Sequence, residues 1–589
     1  MNYKLYKRVS PNLSATQQFL YNRGIPLEEQ EAWIHAGWES INDWFLFHQT
    51  KEESADKMIC AANLVKNIIQ NNYKVQIVVD PDVDGYTSAA ILTNYLYKLY
   101  PEWTHSNLTH IMHTGKEHGL SDVMDLICSD TKLVICPDSA SNDREQHKIL
   151  YDKGIHVLCL DHHECDCDSE YALIINAQIC DYPNKALTGA GVTWQFCRAY
   201  DDLYASEPCA KDFLDLAALG NCGDMASYKK REIRALCNLG FKNIHNPFFF
   251  SMAKKNNYSI QKKNGINYYS VAFYVVPFIN ATIRSGTMEE KKMIFDAMLS
   301  EYAFEKVESS KRGEKGILVP RYQEAVTIAE RVKRRQTKLQ DEAMALLEKQ
   351  IEDKQLLNNS ILVFLCNPGE VEKNILGLAA NKLQAKYQKP CLVLIKSKTI
   401  NDKEYYYRGS GRNYSLSKKD NLKQELEKTG LVEYVAGHIN AFGTSIAEKD
   451  IDNFIERFNS QYENVDQTPT YWVDYVWGSM DIDSNKILEI ASFDIYGQNI
   501  PESLVCIANI PVSEKNVTLM SADKNPTLKI QIGNVSVIKF KSSQEEYEKF
   551  IQPNTIFTAV CKCEINSWKD KVSPQLLVEE FELRKEWIF

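Results

Sequence analysis

The stretch KVQIVVDPDVDGYT, residues 74–87, decides the fold that this sequence predicts. Residues 75–79 form an apolar run of the kind that makes a buried strand. After the run the chain turns at Gly85 into a helical pattern, for which Thr87 or Ser88 is the expected N-cap. Carboxylates crowded at the end of a strand repel one another unless a cation lies among them. Three alternating carboxylates follow this strand and indicate a divalent metal site, those of Asp80, Asp82 and Asp84.

Strand and helix patterns alternate beyond this stretch and predict a doubly wound α/β domain with a parallel sheet. Two of the strands run directly into candidate ligands. The strand at residues 133–137 leads to Asp138, and that at residues 156–160 leads to Asp161, His162 and His163. Because parallel strands present their sites at their carboxyl ends, these side chains should converge on one edge and form a two-metal site. Further strands are predicted at residues 108–113 and 172–175, and Asp224 follows an apolar helix.

The rest of the chain predicts several further domains. Residues 321–354 combine helix formers with no internal glycine or proline and predict a long connecting helix. A smaller α/β unit follows, and short strands with turn signals after it favour a β-barrel of the OB type. The expected organisation is a helical N-terminal segment at 1–70, the catalytic domain at 71–320, the connecting helix at 321–354, the smaller α/β domain at 355–460 and the OB-like domain at 468–589.

Composition places the chain among ordinary globular proteins. A hydrophobic fraction of 44% with 25% charged residues is typical of that class, and no apolar run approaches the roughly 20 residues of a membrane span. No apolar secretion signal is visible at the start of the sequence, so we expect a cytoplasmic protein without membrane contact. The net charge of -10 argues against a generally basic nucleic-acid-binding surface but leaves room for a local basic groove.

Four motifs resemble those of the DHH phosphoesterase superfamily in sequence and order. They are DPDVDGYTS, PDSAS, LDHHE and GNCGDMA. Further segments narrow the resemblance to the RecJ family of single-strand-specific five-prime exonucleases, among them NRGI, LTGAGVTWQF, PFINATIRSG, GSGRN, AGHINAFG and YGQNIPE. The resemblance runs from about residue 20 to the end of the chain. It implies a DHH domain, a smaller DHHA1 domain and a C-terminal OB fold.

The resemblance also implies roles for individual residues. Two Mn²⁺ or Mg²⁺ ions would be held by Asp80, Asp82, Asp84, Asp138, His162 and Asp224. Of these, Asp138 is the expected bridging ligand. His163 would face the scissile phosphate, Asp161 would orient a histidine, and Asn280 and Arg284 would support the phosphoryl oxygens.

The DHHA1-like segment supplies the candidate substrate-binding residues. Ser410 and Arg412 match positions that grip a terminal phosphate, and Gly409 and Gly411 would let main-chain N–H groups approach an anion. His438 matches the histidine of the glycine-glycine-histidine motif, although alanine stands at position 436. A second departure is HTGKEHGLS, residues 113–121, which stands where the family commonly has an arginine-containing loop ending in GYGL. His113 falls at about the arginine position.

The leading hypothesis is a metal-dependent exonuclease that releases mononucleotides from the five-prime end of single-stranded DNA in repair or recombination. We expect a monomer that works beside a helicase and a single-strand-binding protein. One alternative is a phosphodiesterase of short oligonucleotides or cyclic dinucleotides. The other is a non-catalytic scaffold that binds single strands.

Overall fold

The apolar run that follows Lys74 forms a strand that is buried from Val75 to Val79. Its side chains alternate between two hydrophobic clusters, since Ile77 and Val79 pack on one face of the sheet and Val78 on the other. Burial on both faces is what a parallel sheet covered by helices requires, and it explains why the run is mostly apolar instead of alternating. The exception is Gln76, whose side-chain oxygen accepts hydrogen bonds from Cys128 N and Thr131 Oγ1.

The computed structural model describes residues 1–47, 56–115, 117–399, 404–521, 524–568 and 571–585. The strands are β1 Asn2–Leu5, β2 Lys74–Val79, β3 Leu108–Met112, β4 Thr131–Pro137, β5 His156–Asp161, β6 Leu173–Asn176, β7 Lys306–Glu308, β8 Leu318–Pro320, β9 Leu362–Cys366, β10 Cys391–Ser397, β11 Tyr406–Arg412, β12 Val432–His438, β13 Ala441–Ala447, β14 Thr470–Val473, β15 Tyr475–Trp477, β16 Val505–Val512, β17 Val517–Met520, β18 Thr527–Ile532, β19 Val535–Lys539, β20 Thr555–Trp568 and β21 Lys571–Lys585.

The helices alternate with the strands through much of the chain. They are α1 Ala15–Asn22, α2 Gln30–Ile34, α3 Lys57–Gln70, α4 Val83–Leu99, α5 Pro101–Asn107, α6 Arg144–Asp152, α7 Gly189–Tyr204, α8 Leu214–Gly223, α9 Arg231–Lys242, α10 Pro247–Lys255, α11 Asn257–Gln261, α12 Tyr268–Tyr274, α13 Val276–Ser285, α14 Met288–Met298, α15 Arg321–Asp353, α16 Leu376–Tyr387, α17 Leu422–Glu427, α18 Ile451–Ser460, α19 Ser484–Ala491 and α20 Gln544–Phe550.

The chain divides into two units. Unit 1 comprises Met1–Asn22, Arg334–Ser492 and Ser503–Phe589, and unit 2 comprises Arg23–Lys333 and Phe493–Glu502. In unit 2, parallel strands pair in the order β3-β2-β4-β5-β6, which confirms the predicted doubly wound sheet. The strand order reverses between β2 and β4. A crevice opens at the carboxyl ends of strands at such a switch point, and ligands of α/β sheets bind there.

Unit 1 contains two larger sheets. One has the order β12-β13-β11-β10-β9, and the other has the order β15-β16-β20-β21-β19-β18-β17. The strand β1 pairs in parallel with β14, Asn2 lying opposite Thr470. This strand lies in a segment that was predicted to be helical. The sequence did not indicate the strand because its partner lies more than 460 residues away and no local pattern marks the pairing.

Residues 493–502 return to unit 2 from the C-terminal part of the chain. Tyr228 N donates a hydrogen bond to Gln498 O at 3.0 Å. Lys263 Nζ lies 3.0 Å from Glu502 Oε1, and Arg23 Nη2 donates to Pro501 O at 3.2 Å. These contacts fix the segment against turns and loops of the same unit.

Within the described residues, no helix is both long enough and apolar enough to cross a membrane.

Candidate metal centre

The turn between β2 and α4 places the first three carboxylates. Helix α4 begins at Val83, four residues before the predicted cap, because the side chain of Asp82 caps it and accepts a hydrogen bond from Gly85 N at 3.0 Å. The prediction of Thr87 or Ser88 as N-cap is therefore wrong, and both residues are buried within the helix. Gly85 is required here, since a Cβ atom would lie 2.4 Å from the Cβ of Asp80.

Asp84 lies in the first turn of α4 and faces the start of α7. Its Oδ2 and Oδ1 atoms accept hydrogen bonds from Gly189 N at 2.7 Å and Ala190 N at 3.1 Å. Two N–H groups at a helix N-terminus stabilise a negative charge, so α7 helps to hold Asp84 ionised against the repulsion of its neighbours.

Asp138 follows β4 with an unusual backbone conformation. Its φ angle is 70°, a left-handed value that is uncommon outside glycine, and its N–H donates to Leu160 O at 2.8 Å. Strained positions of this kind persist where the surrounding structure imposes them, often at functional sites. Gly189 packs directly on this residue, because a Cβ there would lie 2.4 Å from Asp138 Oδ1.

Asp224 reaches the same edge from the end of α8. Two glycines of the GNCGDMA motif let α8 approach α4 closely. A Cβ at Gly220 would lie 2.5 Å from Asp84 Oδ1, and one at Gly223 would lie 2.7 Å from the Cβ of Val83. The glycines therefore bring a carboxylate from a separate helix to the carboxyl edge of the sheet.

These carboxylates and His162 lie close together at the carboxyl edge of the sheet. Three overlapping groups each offer ligand atoms within 4.8 Å of one another, namely Asp80, Asp82 and Asp138; Asp84, His162 and Asp224; and Asp138, His162 and His163. The Nε2 atom of His162 lies 3.1 Å from Asp138 Oδ1, 3.7 Å from Asp84 Oδ2 and 3.8 Å from Asp224 Oδ2. Asp138 thus belongs to two of the groups and lies between the other ligands.

The electrostatics of this cluster fit bound cations. Burial, followed by the charges of Asp84, Asp82, Asp80 and Asp224, raises the pKa of Asp138 well above its usual value. Burial also raises the pKa of Asp80 and Asp84. Among the described residues, the buried Oδ1 atom of Asp80 has no hydrogen-bond partner, and the buried Oδ1 atom of Asp138 has the contact with His162 Nε2 but no well-aligned hydrogen bond. Unsatisfied buried oxygens surrounded by like charges are costly, and divalent cations that prefer oxygen ligands would remove that cost.

The site opens from a buried floor to an exposed rim. The side chains of Asp80 and Asp138 are 0% and 1% exposed, whereas that of Asp224 is 40% exposed. Partial burial, together with the charges of Asp84 and Asp82, raises the pKa of Asp224 to about 7. Asp224 therefore lies at the solvent-accessible rim of the cluster, whereas Asp80 and Asp138 lie on its buried floor.

Asp161 holds His163 at this rim. Asp161 Oδ1 accepts hydrogen bonds from His163 Nδ1 at 2.8 Å and from His162 N at 2.7 Å, and Oδ2 accepts one from Ser141 N at 3.1 Å. Burial opposes ionisation of Asp161, but the contacts with His163 dominate and lower its pKa. In return, the hydrogen bond to Asp161 raises the pKa of His163 to about 9.

His118 is a member of the site that sequence reasoning missed. Its Nδ1 atom lies 2.6 Å from Asp80 Oδ2, and its ring centroid lies 6.3 Å from that of His163. The residue singled out in the same loop, His113, is buried and pairs instead with Asp122 at 3.0 Å. The loop after β3 could have indicated such a contact, because β3 lies next to β2 and its loop therefore reaches the same edge as Asp80. The loop contains both His113 and His118, and the sequence does not distinguish which of them reaches Asp80.

Asn280 and Arg284 lie one turn apart on α13. Asn280 Oδ1 is buried without a hydrogen-bond partner, and Arg284 is exposed. In the part of the chain that the structure describes, no hydrogen bond or ion pair joins either side chain to the carboxylate cluster. Their contact with a phosphoryl group stays a prediction.

The candidate substrate-binding residues lie in unit 1. The segment GSGR continues the strand β11, which pairs with both β10 and β13. The N–H groups of Gly409 and Gly411 therefore lie within a sheet, and a Cβ at Gly409 would lie 2.0 Å from Val393 O. Main-chain capture of an anion by these two glycines is not supported by this geometry.

The other three candidate substrate-binding residues lie near one another in this sheet, namely Ser410, Arg412 and His438. Ser410 and Arg412 lie two residues apart on β11, so their side chains share the face of the sheet that meets Gly377. A Cβ at Gly377 would lie 2.7 Å from Arg412 Nη2 and 3.6 Å from Ser410 Oγ. Arg412 and His438 both pair with Ala441, from opposite sides of β13. His438 is exposed at the end of β12. The three side chains thus occupy one end of the sheet.

Comparison with known families agrees with this architecture. Residues 74–221 match the DHH family, N-terminal domain, and residues 473–580 match the RecJ OB domain. A relative from Bacillus subtilis strain 168, YorK, derives from the SPbeta prophage and is provisionally named a single-strand DNA-specific exonuclease. It is 31% identical over 599 residues, which cover 100% of each chain.

Cellular relatives and solved structures give the same assignment. The single-stranded-DNA-specific exonuclease RecJ of Bacillus subtilis strain 168 is 25% identical over 88% of this chain and 62% of its own length. The crystal structure of RecJ from Thermus thermophilus in complex with Mn²⁺ matches 100% of this chain and 80% of that chain, with a TM-score of 0.69 and 17% identity. A second structure of that protein is a complex with Mg²⁺.

Proposed function

This chain belongs to the RecJ-like family of DHH proteins, and on that premise we propose that it hydrolyses single-stranded DNA from the five-prime end and releases mononucleotides. The observation that carries the proposal is that five aspartates and one histidine converge at the switch point of the sheet, namely Asp80, Asp82, Asp84, Asp138, Asp224 and His162. A non-catalytic scaffold has no use for so costly a cluster.

The residues present fit two Mn²⁺ or Mg²⁺ ions. Asp80, Asp82 and Asp138 would hold one ion, and Asp84, His162 and Asp224 the other, with Asp138 between them. Bound there, the ions would supply an activated water and positive charge for the leaving oxygen. Oxygen ligands with one imidazole suit these metals better than thiolate-preferring ones.

The protein's own groups orient and neutralise the substrate around that floor. Asp161 fixes the ring of His163 and keeps its Nδ1 protonated, so the imidazolium faces outward at the rim. A phosphodiester carries negative charge that grows on its oxygens in the transition state, and a pre-placed cation stabilises it there. Arg284 would add a second cation, with Asn280 beside it.

For the terminal phosphate we propose Ser410, Arg412 and His438. A guanidinium binds phosphate oxygens in a bidentate manner, and the hydroxyl and imidazole would complete the contact. The OB domain at residues 473–580 supports a substrate of unpaired bases, which such folds bind by stacking and through basic grooves.

The domain limits and the cellular setting are part of the proposal. We infer an N-terminal segment at 1–70, a DHH domain at 71–320, a connecting helix at 321–354, a DHHA1 domain at 355–460 and an OB-like domain at 468–589. We place the activity in repair or recombination, with a helicase that generates single strands and a single-strand-binding protein that covers them.

One assay separates this function from its alternatives. The full chain is incubated with Mn²⁺ and with end-labelled single-stranded DNA, duplex DNA, a dinucleotide and a cyclic dinucleotide, beside the variant Asp138→Ala. Mononucleotides released progressively from the five-prime end of single strands, and absent with the variant, support the proposal. Turnover of the short substrates alone would replace it with the oligonucleotide phosphodiesterase, and binding without turnover would replace it with the scaffold.

A further inference from the structure

Charge is distributed unevenly in unit 2. The chain carries a net charge of -10, yet residues 225–288 contain ten lysines and arginines and a single acidic residue, Glu232. These residues follow the ligand Asp224 and include Arg284, but most of them lie on helices that the metal centre does not use. A concentrated basic segment in an acidic protein indicates a polyanionic partner.

Aromatic and basic side chains alternate at a regular spacing along α10 and α11. Phe250 and Lys254 lie four residues apart on one face of α10, and Tyr258 on α11 and Lys262 directly after α11 continue the same spacing. Phe250 is 52% exposed and Tyr258 is 76% exposed. Lys262 Nζ lies 4.8 Å from the centroid of the Tyr258 ring.

The helix α12 adds two further aromatic residues to this region, Tyr269 and Phe273, whose rings contact each other. The ring centroids of Tyr269 and Phe273 lie 4.5 Å apart, and Phe273 is 52% exposed. Lys263 Nζ lies 5.1 Å from the centroid of the Tyr269 ring. We call Phe250, Lys254, Tyr258, Lys262, Tyr269 and Phe273 the lysine–aromatic surface.

The composition of this surface identifies the chemistry that it would bind. Residues 247–274 contain four lysines and no acidic residue. Exposed apolar side chains that cluster and are rimmed by polar residues mark interaction sites, whereas single ones do not. Lys255 pairs with Glu330, and Lys263 pairs with Glu502. Lysines attract phosphates, whereas exposed rings stack on bases, and the faces of bases are accessible only in unpaired strands.

We propose that the lysine–aromatic surface is a second contact for single-stranded nucleic acid, separate from the metal ligands. The inference rests on the proposed function for the identity of the substrate, but the binding that it describes needs no metal and no hydrolysis. The surface would hold a long strand while one end is cleaved. It therefore contributes to the affinity for long strands and not to the hydrolysis of a dinucleotide.

The test compares matched variants of the full chain in buffer with EDTA, using a fluorescent oligothymidylate of about 30 nucleotides, long enough to reach beyond one site. The charge variant is Lys254→Glu with Lys262→Glu, and the ring variant is Tyr258→Ala with Phe273→Ala. Their controls alter exposed residues elsewhere in unit 2, namely Lys132→Glu with Lys153→Glu and Tyr73→Ala with Tyr151→Ala.

We expect each surface variant to bind the strand roughly five- to a hundred-fold more weakly, while the controls bind as the unaltered protein does. The charge variant should also reduce the slope of log Kd against log salt concentration by about one to two, which corresponds to the loss of one or two phosphate contacts. Hydrolysis of a dinucleotide with Mn²⁺ should stay within about two-fold, which shows that the variants are folded.

Unchanged binding by both surface variants, or an equal loss in the controls, overturns the inference. If binding of DNA is unchanged but binding of a fluorescent polyglutamate peptide is lost, the surface serves an acidic protein partner instead. If the unaltered protein hydrolyses neither the dinucleotide nor DNA, the proposed function is wrong. That result does not decide the present inference, because the binding measurement without metal tests it independently.

A measurement on the unaltered protein covers the case in which the variants do not fold. Lysines are acetylated with and without the oligothymidylate in EDTA, and the modified sites are quantified by mass spectrometry. We expect the strand to protect Lys254 and Lys262 and to leave Lys132 and Lys153 unchanged. Equal modification of all four lysines in both conditions overturns the inference.

Discussion

The Nδ1 atom of His118 lies 2.6 Å from Asp80 Oδ2 and holds one oxygen of that carboxylate, while the other oxygen, Oδ1, is buried and has no hydrogen-bond partner among the residues that the structure describes. The loop that carries His118 is anchored in turn, because Leu120 N donates to Asp143 Oδ2 at 2.7 Å. His118 therefore sets the orientation in which Asp80 presents its remaining oxygen.

The first prediction concerns this orientation. The variant His118→Ala should weaken the binding of Mn²⁺ by roughly 10- to 100-fold, the usual cost of losing a group that orients a metal ligand. Calorimetric titration of the full chain measures it in the absence of DNA. The exposed His35, altered to alanine in parallel, should leave the affinity unchanged. Equal affinity in the two variants would show that His118 does not position Asp80.

The second prediction concerns the cost of the carboxylate cluster. Asp138 is buried among four other carboxylates, so Asp138→Asn removes a repelled charge at nearly constant volume. Without metal, the variant should unfold at a higher temperature, by about 2 °C or more, whereas hydrolysis should fall roughly a thousand-fold. Differential scanning fluorimetry with and without Mn²⁺ measures the first effect. A lower unfolding temperature for the metal-free variant would contradict the repulsion.

The third prediction concerns pH. A carboxyl group whose folded pKa is raised binds a proton more tightly in the folded state, so its contribution to stability is greatest at low pH and declines up to the folded pKa. For Asp224 this window runs from the usual value of 3.8 to about 7. The metal-free protein should therefore lose stability as the pH rises from about 5 to about 7, and Asp224→Asn should flatten this dependence. Thermal unfolding at several pH values measures both.

The same protons compete with metal. We expect the affinity for Mn²⁺ to rise with pH over this range and the number of protons released on binding to fall. Titration calorimetry in two buffers of different ionisation enthalpy counts the protons. Proton release that does not change with pH would contradict raised pKa values in the cluster.

The fourth prediction concerns Gly189. A methyl group there would lie 2.4 Å from Asp138 Oδ1, so Gly189→Ala must displace either that carboxylate or the start of α7. We expect weaker Mn²⁺ binding and a loss of hydrolysis of about a hundred-fold, since small displacements of catalytic groups have effects of this size. Gly443→Ala is the control, because no atom lies closer than 3.7 Å to its added Cβ. Similar activity of both variants would show that the packing at Gly189 is tolerant.

Sequence reasoning located the strands of the parallel sheet and the candidate metal ligands that follow three of them. The apolar runs that end in Asp138 and Asp161 fit strands buried on both faces, and their length of about five residues favours strands over buried helices. The resemblance to DHH motifs supplied Asp224, which comes from a helix and from no strand. Its approach depends on Gly220 and Gly223, whose role becomes evident only when α8 is seen against α4.

The remaining features depend on contacts between distant parts of the chain. The cap of α4 is Asp82 because its side chain reaches Gly85 N, a choice that helix propensity does not distinguish from Thr87. GSGR is part of a strand because β13 pairs along it. His118 meets Asp80 only after the loop has folded, and a local pattern contains no information about that contact.

The return of residues 493–502 to unit 2 has a consequence for fragment design. Gly497 packs against Tyr228, four residues after Asp224, and a Cβ there would lie 2.6 Å from that ring. A truncation that ends after α18 would remove this support together with the OB domain. A minimal nuclease fragment should therefore carry the decapeptide by fusion or receive it as a synthetic peptide, and loss of activity on simple truncation would not locate the function in the OB domain.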